Sequence, residues 1–263
     1  MPRLPRSALL AAWAGPALER SARLEAAGLE SAVRAVQGDD EPHTVELVGD
    51  LPFATCGGLL ELLNELARLR VCGLRLVLPA PGDPVGLPGP AHVNAEAMDA
   101  GECVLTVGGP PLALVPDVEE FGSAYETGHL VTWRVHASGG AGADCSDLAE
   151  AEHTLRAALL QANATLEDLD VASWRPDAAA QIQALRSGHG PAAELPPGLA
   201  PRSVRVLDLA WRVRGIVELA SADDGAALSG WQAQRRAQAL RDLDHVGRRA
   251  LVAAVNAQCR TQS

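Results

Sequence analysis

Alternating apolar and polar positions mark the first recognisable unit of the chain, between residues 43 and 90. Residues 44–48 and 74–78 alternate with a period of two, which predicts two β-strands. Between them, leucines at helical spacing over residues 59–69 predict an amphipathic helix with Thr55 as its N-cap. The gap between the strands suits a right-handed parallel crossover, so we predict a β-α-β unit whose two strands pair.

Charged residues in the two strands add a contact to this prediction. Glu46 and Arg75 lie on the faces opposite the apolar positions, so we expect them to be neighbours across the pair. The alternative is that one face of the sheet is open to water, which would place the unit near a sheet edge.

Further elements are predicted on either side of this unit. Two short helices fall within residues 7–37, the second ended by Gly38. Residues 102–107 and 112–115 predict a β-hairpin, and a further strand follows over residues 129–137. Four acidic residues between these strands are expected in a loop or helical turn: Asp117, Glu119, Glu120 and Glu126.

From residue 146 onward the apolar pattern becomes helical. We predict a helix with a break near Asn163, then a helix over residues 176–186, and finally a hairpin with arms at 202–222 and 229–257. The expected organisation is an α/β domain (1–145), a helical extension (146–187), a linker (188–201) and a C-terminal helical hairpin (202–263). The fold class is therefore α/β, with a small mixed sheet followed by an all-helical segment.

Composition excludes several kinds of enzyme. The 263 residues are 48% hydrophobic and 21% charged, as expected of a folded protein. The chain contains no lysine, so all 22 basic residues are arginines. Nucleotide hydrolysis on a Walker A loop, protein kinase activity and Schiff-base or pyridoxal phosphate chemistry each need a specific lysine amine and are excluded. Because the Ala, Gly, Pro and Arg bias is typical of a GC-rich genome, abundant arginine is weak evidence for phosphate recognition.

The cysteines indicate a reducing compartment. They are odd in number and far apart, without a Cys-x-x-Cys pair or a Cys/His cluster at zinc spacing: Cys56, Cys72, Cys103, Cys145 and Cys259. No apolar run approaches the roughly 20 residues of a membrane span, and the first residues are interpreted as a mature N-terminus. We expect a cytoplasmic protein without a metal, a cofactor or a membrane segment.

A ligand site is one hypothesis for the loop at residues 79–90, which leaves the carboxyl end of a strand. Open α/β sheets bind ligands at this end of parallel strands. A small-molecule binder or hydrolase-like enzyme would use six residues there: Asp50, Thr55, Asp83, His92, Asn94 and Glu96. The alternative is a proline-rich connection with exposed polar side chains, and no catalytic residue is assigned.

The terminal helices carry the favoured hypothesis. Residues 201–263 contain ten arginines against six acidic residues, in a chain whose formal charge is −11. Nucleic-acid binding is disfavoured, because recognition motifs and stacking aromatic residues are missing. Two apolar helix faces instead predict helix packing, either against the α/β domain or against a second copy or a protein partner. We therefore favour a non-catalytic interaction or regulatory protein that self-associates.

Three stretches carry a resemblance to known sequences: LRLVLPAPGDPVGLPGP, LPPGLAPRSVRVL and RRALVAAVNA. Together with the lysine-free composition, they resemble alanine-rich, uncharacterised proteins of actinobacteria. The resemblance spans most of the chain, and its motifs are not catalytic signatures. It implies a bacterial, cytosolic protein and transfers no activity and no site residue.

Overall fold

The computed structural model describes residues 3–22, 28–53, 55–123, 126–140, 147–168, 190–221 and 230–260. The chain divides into two compact units. The α/β unit comprises Pro5–Asp144, Glu194–Pro197 and Gln258–Ser263. The helical unit comprises Met1–Leu4, Cys145–Ala193 and Gly198–Ala257.

The α/β unit is built on a five-stranded mixed sheet. Its elements are α1 (Arg6–Ala22), α2 (Leu29–Gln37), β1 (Thr44–Val48), α3 (Leu59–Arg68), β2 (Gly73–Val77), α4 (Ala91–Ala100), β3 (Cys103–Val107), β4 (Leu112–Ser123) and β5 (Glu126–Ala137). The strand order is β1-β5-β4-β3-β2, with β1 parallel to β5 and every other pair antiparallel. The predicted mixed sheet and the hairpin of β3 and β4 are confirmed.

The predicted parallel pairing of β1 with β2 is wrong. The strand, helix and strand form where expected, but β1 and β2 are the two edge strands of the sheet and run in opposite directions. Glu46 lies beside Arg134 and Arg75 beside Leu105, so the expected neighbours Glu46 and Arg75 are separated by three strands. Because strand partners are chosen by contacts distant in sequence, the local pattern could not supply them.

One face of the sheet is continuously apolar. The register brings Leu76, Val104, Leu114 and Val135 side by side across four strands. Trp133 shares this face and is fully buried. On it α1 packs against β2, β3 and β4, α3 packs against β1, and α2 packs against α1 and α3. This layer of three helices forms the main core of the unit.

The alanine-rich helix α1 lies close to the strand backbone. Its buried small residues are Ala8, Ala11, Ala12, Ala14 and Ala17. A Cβ added at Gly15 would lie in van der Waals contact with the backbone nitrogen of Leu74, at 3.5 Å, so the helix approaches the strand backbone closely here. At the start of the helix, the Ser7 amide donates to Glu102 Oε2 at 2.7 Å, which satisfies a first-turn N–H. Burial raises the pKa of Glu102.

The amphipathic pattern of α3 is confirmed, but its predicted N-cap is wrong. Gly58 occupies the N-cap position in an extended conformation, and Thr55 lies before it. Four leucines of α3 are buried: Leu59, Leu62, Leu63 and Leu66. Burial of each such side chain contributes about 1.5–3 kcal/mol, so the leucine spacing determines where the helix forms.

A buried polar chain joins the helical layer to the sheet. Trp133 Nε1 donates to His43 Nδ1 at 3.1 Å, and His43 Nε2 lies 3.4 Å from Asp40 Oδ2. Arg6 of α1 holds the same carboxylate through both of its oxygens, at 2.7 and 3.0 Å. His129 Nδ1 lies 3.3 Å from Asp40 Oδ1. Because His43 Nδ1 accepts a hydrogen bond, the proton of the neutral ring resides on Nε2, facing Asp40.

The opposite face of the sheet is divided between apolar and polar halves. Over β2, β3 and β4, apolar residues pack against Val93 and Ala97 of α4: Val77, Cys103, Leu105, Ala113 and Val115. Over β1 and β5, Thr132 and Arg134 take the equivalent positions, beside Thr44 and Glu46. The alternative of a partly wet face at a sheet edge is therefore the arrangement observed for β1.

The strands β4 and β5 extend beyond the sheet as a two-stranded ribbon. Their pairing continues from Leu112 opposite Ala137 to Ser123 opposite Glu126. The acidic residues expected in a loop or helical turn therefore lie on strands, and that prediction is wrong. Phe121 packs across the ribbon on Gly128, where a Cβ would overlap its ring. The glycine thus makes room for an aromatic side chain that remains 45% exposed.

The helical unit contains α5 (Leu148–Asp168), α6 (Pro201–Ser221) and α7 (Gly230–Asn256). Both arms of the predicted hairpin, α6 and α7, are present and pack against each other, and α5 packs against both. α5 continues through Asn163, so the predicted break there is wrong. The predicted helix at 176–186 and the Ser229 cap lie outside the described residues.

The buried histidines make stability depend on pH. Burial lowers the pKa values of His43 and His136 from the ordinary value of 6.5. On acidification the unfolded chain therefore binds protons at these positions before the folded chain does, and stability falls below about pH 6.5.

Urea unfolding at about pH 7.5 and about pH 5.5 measures this loss of stability. The loss should be smaller in H43N, because asparagine cannot titrate. The control H153Q changes an exposed histidine of α5 and should behave as wild type; an equal loss in H43N and wild type would contradict the prediction.

Candidate functional site

The structure separates the six residues of the predicted ligand site. Asp50 and Thr55 are exposed and make no side-chain hydrogen bond or ion pair within the described part of the chain. Asp83 is buried in the loop after β2, where its backbone pairs with that of Ala80. Asn94 Oδ1 accepts the Gly89 amide at 2.7 Å and so holds the loop against the start of α4. Asp50, Thr55, Asp83 and Asn94 are therefore accounted for by exposure or by loop structure.

The loop itself carries the chain to the carboxyl end of β5. The Gly139 amide donates to Gly89 O at 3.2 Å. Position 139 leaves no space for a Cβ beside the carbonyl of Pro88, so only glycine fits there. This contact positions α4 next to β5, although α4 has no counterpart among the predicted elements. The premise of the ligand hypothesis, a parallel β1–β2 pair, is absent, but ligand binding itself remains a prediction.

The remaining two predicted residues, His92 and Glu96, join a group of polar, ionisable side chains that we name the β5 cluster. Its members are Glu46, His92, Glu96, Arg134 and His136. Glu96 Oε2 lies 2.9 Å from His136 Nε2 and 3.0 Å from Arg134 Nη1. Arg134 Nε donates to Glu46 Oε2 at 3.2 Å. The His92 ring lies 6.0 Å from the His136 ring, between centroids.

Burial within the β5 cluster is concentrated at His136. Its side chain is 1% exposed, against 28% for Glu96 and 31% for Arg134. Neither ring nitrogen of His136, nor Glu96 Oε2, makes a hydrogen bond, so Glu96 contacts the imidazole without hydrogen bonding to it and forms an ion pair with Arg134. Burial lowers the pKa of His136, and the Glu96 carboxylate acts in the opposite direction. The β5 cluster thus pairs the guanidinium of Arg134 with two carboxylates, those of Glu46 and Glu96, beside the buried imidazole of His136.

Sequence reasoning identified two members of the β5 cluster and missed the other three. Arg134 and His136 alternate with apolar positions on β5, and Glu46 does the same on β1. This alternation was a usable signal for a polar sheet face. The missing information was that β1 pairs with β5, which brings Glu46 to Arg134.

The helical unit contains a second candidate, an open groove between α5 and α7 with a volume of about 420 Å³. We name it the α5–α7 groove. Its apolar lining consists of Ala157, Ala158, Ala162, Ala239, Leu243 and Val246. Arg235, Gln238 and Asp242 of α7 add polar groups. Small side chains on both helices leave room for a side chain or helix from another molecule.

Exposed apolar residues occur on both helices that form the groove. Trp231 of α7 is 61% exposed, and the Arg235 guanidinium lies over its ring at 5.2 Å from the centroid. Leu160 of α5 is 73% exposed. Tryptophan and arginine are the residues most enriched where protein interfaces gain their binding energy. This surface therefore has the composition of a protein contact.

The thiols of Cys56 and Cys103 do not have the properties of catalytic nucleophiles. Burial raises the pKa of Cys56, and it raises that of Cys103 to about 12. Both thiols are therefore protonated at neutral pH. Cys72 donates a hydrogen bond to Val107 O at 3.4 Å. In the described ranges, no three His, Cys, Asp or Glu side chains converge as metal ligands, and no helix combines the length and hydropathy of a bilayer span.

Comparison with known proteins places both units in one family. A family model described as "Rv1486c-like protein, N-terminal domain" matches residues 7–145, and the model of the C-terminal domain matches residues 149–252. The chain belongs to the Rv1486c-like family. The domain boundary of this family falls just before the start of α5, and the division into compact units follows Asp144.

Two relatives come from strains of Mycobacterium tuberculosis. They are "Uncharacterized protein MT1533" from strain CDC 1551 / Oshkosh and "Uncharacterized protein Rv1486c" from strain ATCC 25618 / H37Rv. Each is 31% identical over 227 residues, which cover 76% of this chain and 77% of the relative. No solved structure matches significantly. The expected membership of an uncharacterised actinobacterial family is confirmed, and the Rv1486c-like relatives transfer no activity.

The contact between Glu96 and His136 can be tested by titration. In E96Q the carboxylate that favours protonated His136 is absent, so the pKa of His136 should fall below its wild-type value. NMR titration of labelled histidine side chains measures it. The control E30Q removes an exposed carboxylate from α2 and should leave the His136 curve unchanged. If E96Q and wild type titrate alike at His136, the two side chains are not in contact in solution.

Proposed function

We propose that this protein is a non-catalytic, cytoplasmic interaction protein that self-associates through its helical unit. The observation that carries the proposal is the solvent-exposed Trp231, with Arg235 stacked on it, beside the α5–α7 groove. A cytoplasmic location is consistent with Cys56, Cys72 and Cys103, which are free thiols.

The energetics of an exposed tryptophan support this function. A tryptophan buries 150–250 Å² in a contact and retains few rotatable bonds, so ordering it costs little entropy. Leaving Trp231 in water forgoes that gain, whereas a partner that covers it recovers several kcal/mol. Arg235 adds a planar charged group that can remain stacked on the ring while donating hydrogen bonds to a carboxylate.

The ligand-binding alternative has weaker support. The strand pair on which it was based is not formed, and Asp50 and Thr55 do not join the β5 cluster. Within that cluster, Glu96 and Glu46 already neutralise Arg134. An anionic ligand would have to displace these carboxylates from the guanidinium, which opposes its binding.

Self-association is tested by sedimentation of the full-length chain over a range of concentrations. We expect W231A to weaken self-association at least tenfold, about 1.4 kcal/mol, because the principal apolar contact is removed. The matched control F121A removes an exposed aromatic side chain from the β4–β5 ribbon and should associate as wild type does. Wild-type protein that stays monomeric at about 0.1 mM, or equal weakening by both variants, would overturn the proposed function.

A further inference from the structure

One face of α7 carries a continuous stripe of five residues, four of which are exposed to solvent. The residues of this stripe are spaced three or four positions apart and so share one side of the helix. They are Trp231, Arg235, Gln238, Asp242 and Val246. Trp231, Arg235, Gln238 and Asp242 are exposed, and Val246 is half-buried. The last four also line the α5–α7 groove. The stripe therefore lies where an occupant of the groove would make contact.

The order of charges along this stripe is self-complementary. When a helix packs against an antiparallel copy of itself, two positions meet if they are equally far from the two-fold axis. Arg235 and Asp242 are seven residues, about 10.5 Å, apart along the axis of the helix. An axis midway between them would place each arginine opposite the aspartate of the other copy. The same axis would bring Trp231 opposite Val246, so charged and apolar positions match simultaneously.

The centre of such a pair is compatible with close packing. The axis passes between Gln238 and Ala239, and the alanine allows the two helices to approach to about 8–10 Å. Gln238 Nε2 donates to Asp242 Oδ1 at 2.7 Å, which holds the carboxylate at the surface of the stripe. Arg241 donates to Gln238 Oε1 at 2.7 Å and flanks the stripe. A parallel copy would instead place Asp242 opposite Asp242, where like charges repel.

We propose that the occupant of the α5–α7 groove is a second copy of this chain, packed as an antiparallel α7 pair. Arg235 of each copy pairs with Asp242 of the other, and Trp231 of each copy covers Val246 of the other. This inference rests on the proposed function, because it specifies the partner and the register of the same surface. It adds the requirement that the charges at positions 235 and 242 can be exchanged without loss of self-association.

A charge-reversal pair tests the register. R235D alone would place an aspartate opposite Asp242 of the second copy at both ends of the contact, and D242R alone would place arginine opposite arginine. Each variant should self-associate at least about tenfold more weakly than wild type, since two attractive pairs become repulsive. Mixed in equal amounts, the two variants offer an aspartate to every arginine, so the mixture should regain wild-type association as a heterodimer.

The controls separate register from fold and from net charge. R34D and D99R make the same charge changes on exposed helical positions of α2 and α4 and should associate as wild type does, alone or mixed. The double variant R235D/D242R should self-associate like wild type. Recovery in the mixture should weaken at about 1 M salt, where charge pairs are screened within about 3 Å.

The possible outcomes test the register of the α7 pair and the proposed function separately. Rescue in the mixture supports the antiparallel α7 pair, because two chains that had lost their fold would not regain a contact on mixing. If wild type associates and W231A does not, but neither the mixture nor the double variant recovers, the register is wrong and the proposed function stands. If wild type does not associate, both the proposed function and this register are overturned.

Discussion

The α/β unit depends on keeping a polar chain satisfied inside an apolar core. Trp133 is fully buried, and its indole N–H must have an acceptor, which His43 provides. His43 in turn faces Asp40, and Arg6 holds that carboxylate with two hydrogen bonds. Loss of any partner would leave a buried polar group unpaired, at a cost of about 1–3 kcal/mol. These linked polar side chains therefore fix α1, the turn after α2 and the centre of β5 relative to one another.

The two faces of the sheet differ in how much of each is covered by helices and in where polar side chains lie. The face that carries Trp133 is covered by three helices and is apolar except for the polar chain. The other face is covered by α4 only over β2, β3 and β4, and its remaining half carries Glu46 and Arg134. His136 lies at the border between these halves, which explains why it is buried and yet surrounded by charge. The β5 cluster therefore lies where the cover provided by α4 ends.

Local elements were predictable, and long-range partners were not. The strand at 44–48, the leucines of α3 and both terminal helices follow from periodicity, because burial of one face determines each element. The sequence could not reveal that β1 pairs with β5, so Glu46 was assigned to Arg75. The acidic run at 117–126 looked like a loop because glutamate is rare in strands, but pairing within the ribbon overrides that preference. Of the ligand residues, only His92 and Glu96 lie in the β5 cluster, because the unpredicted helix α4 brings both to His136.

The exposed ribbon of β4 and β5 has a consequence for solubility. Beyond its pairing with β3, the described end of β4 is paired only with β5, so its outer edge is a possible template for another chain. Glu119 and Glu120 place negative charge along that edge, opposite Leu130 and His129. Such charges act as gatekeepers against edge-to-edge aggregation. The acidic residues that looked like a loop in the sequence thus lie on a strand edge, where negative charge opposes the addition of a further strand.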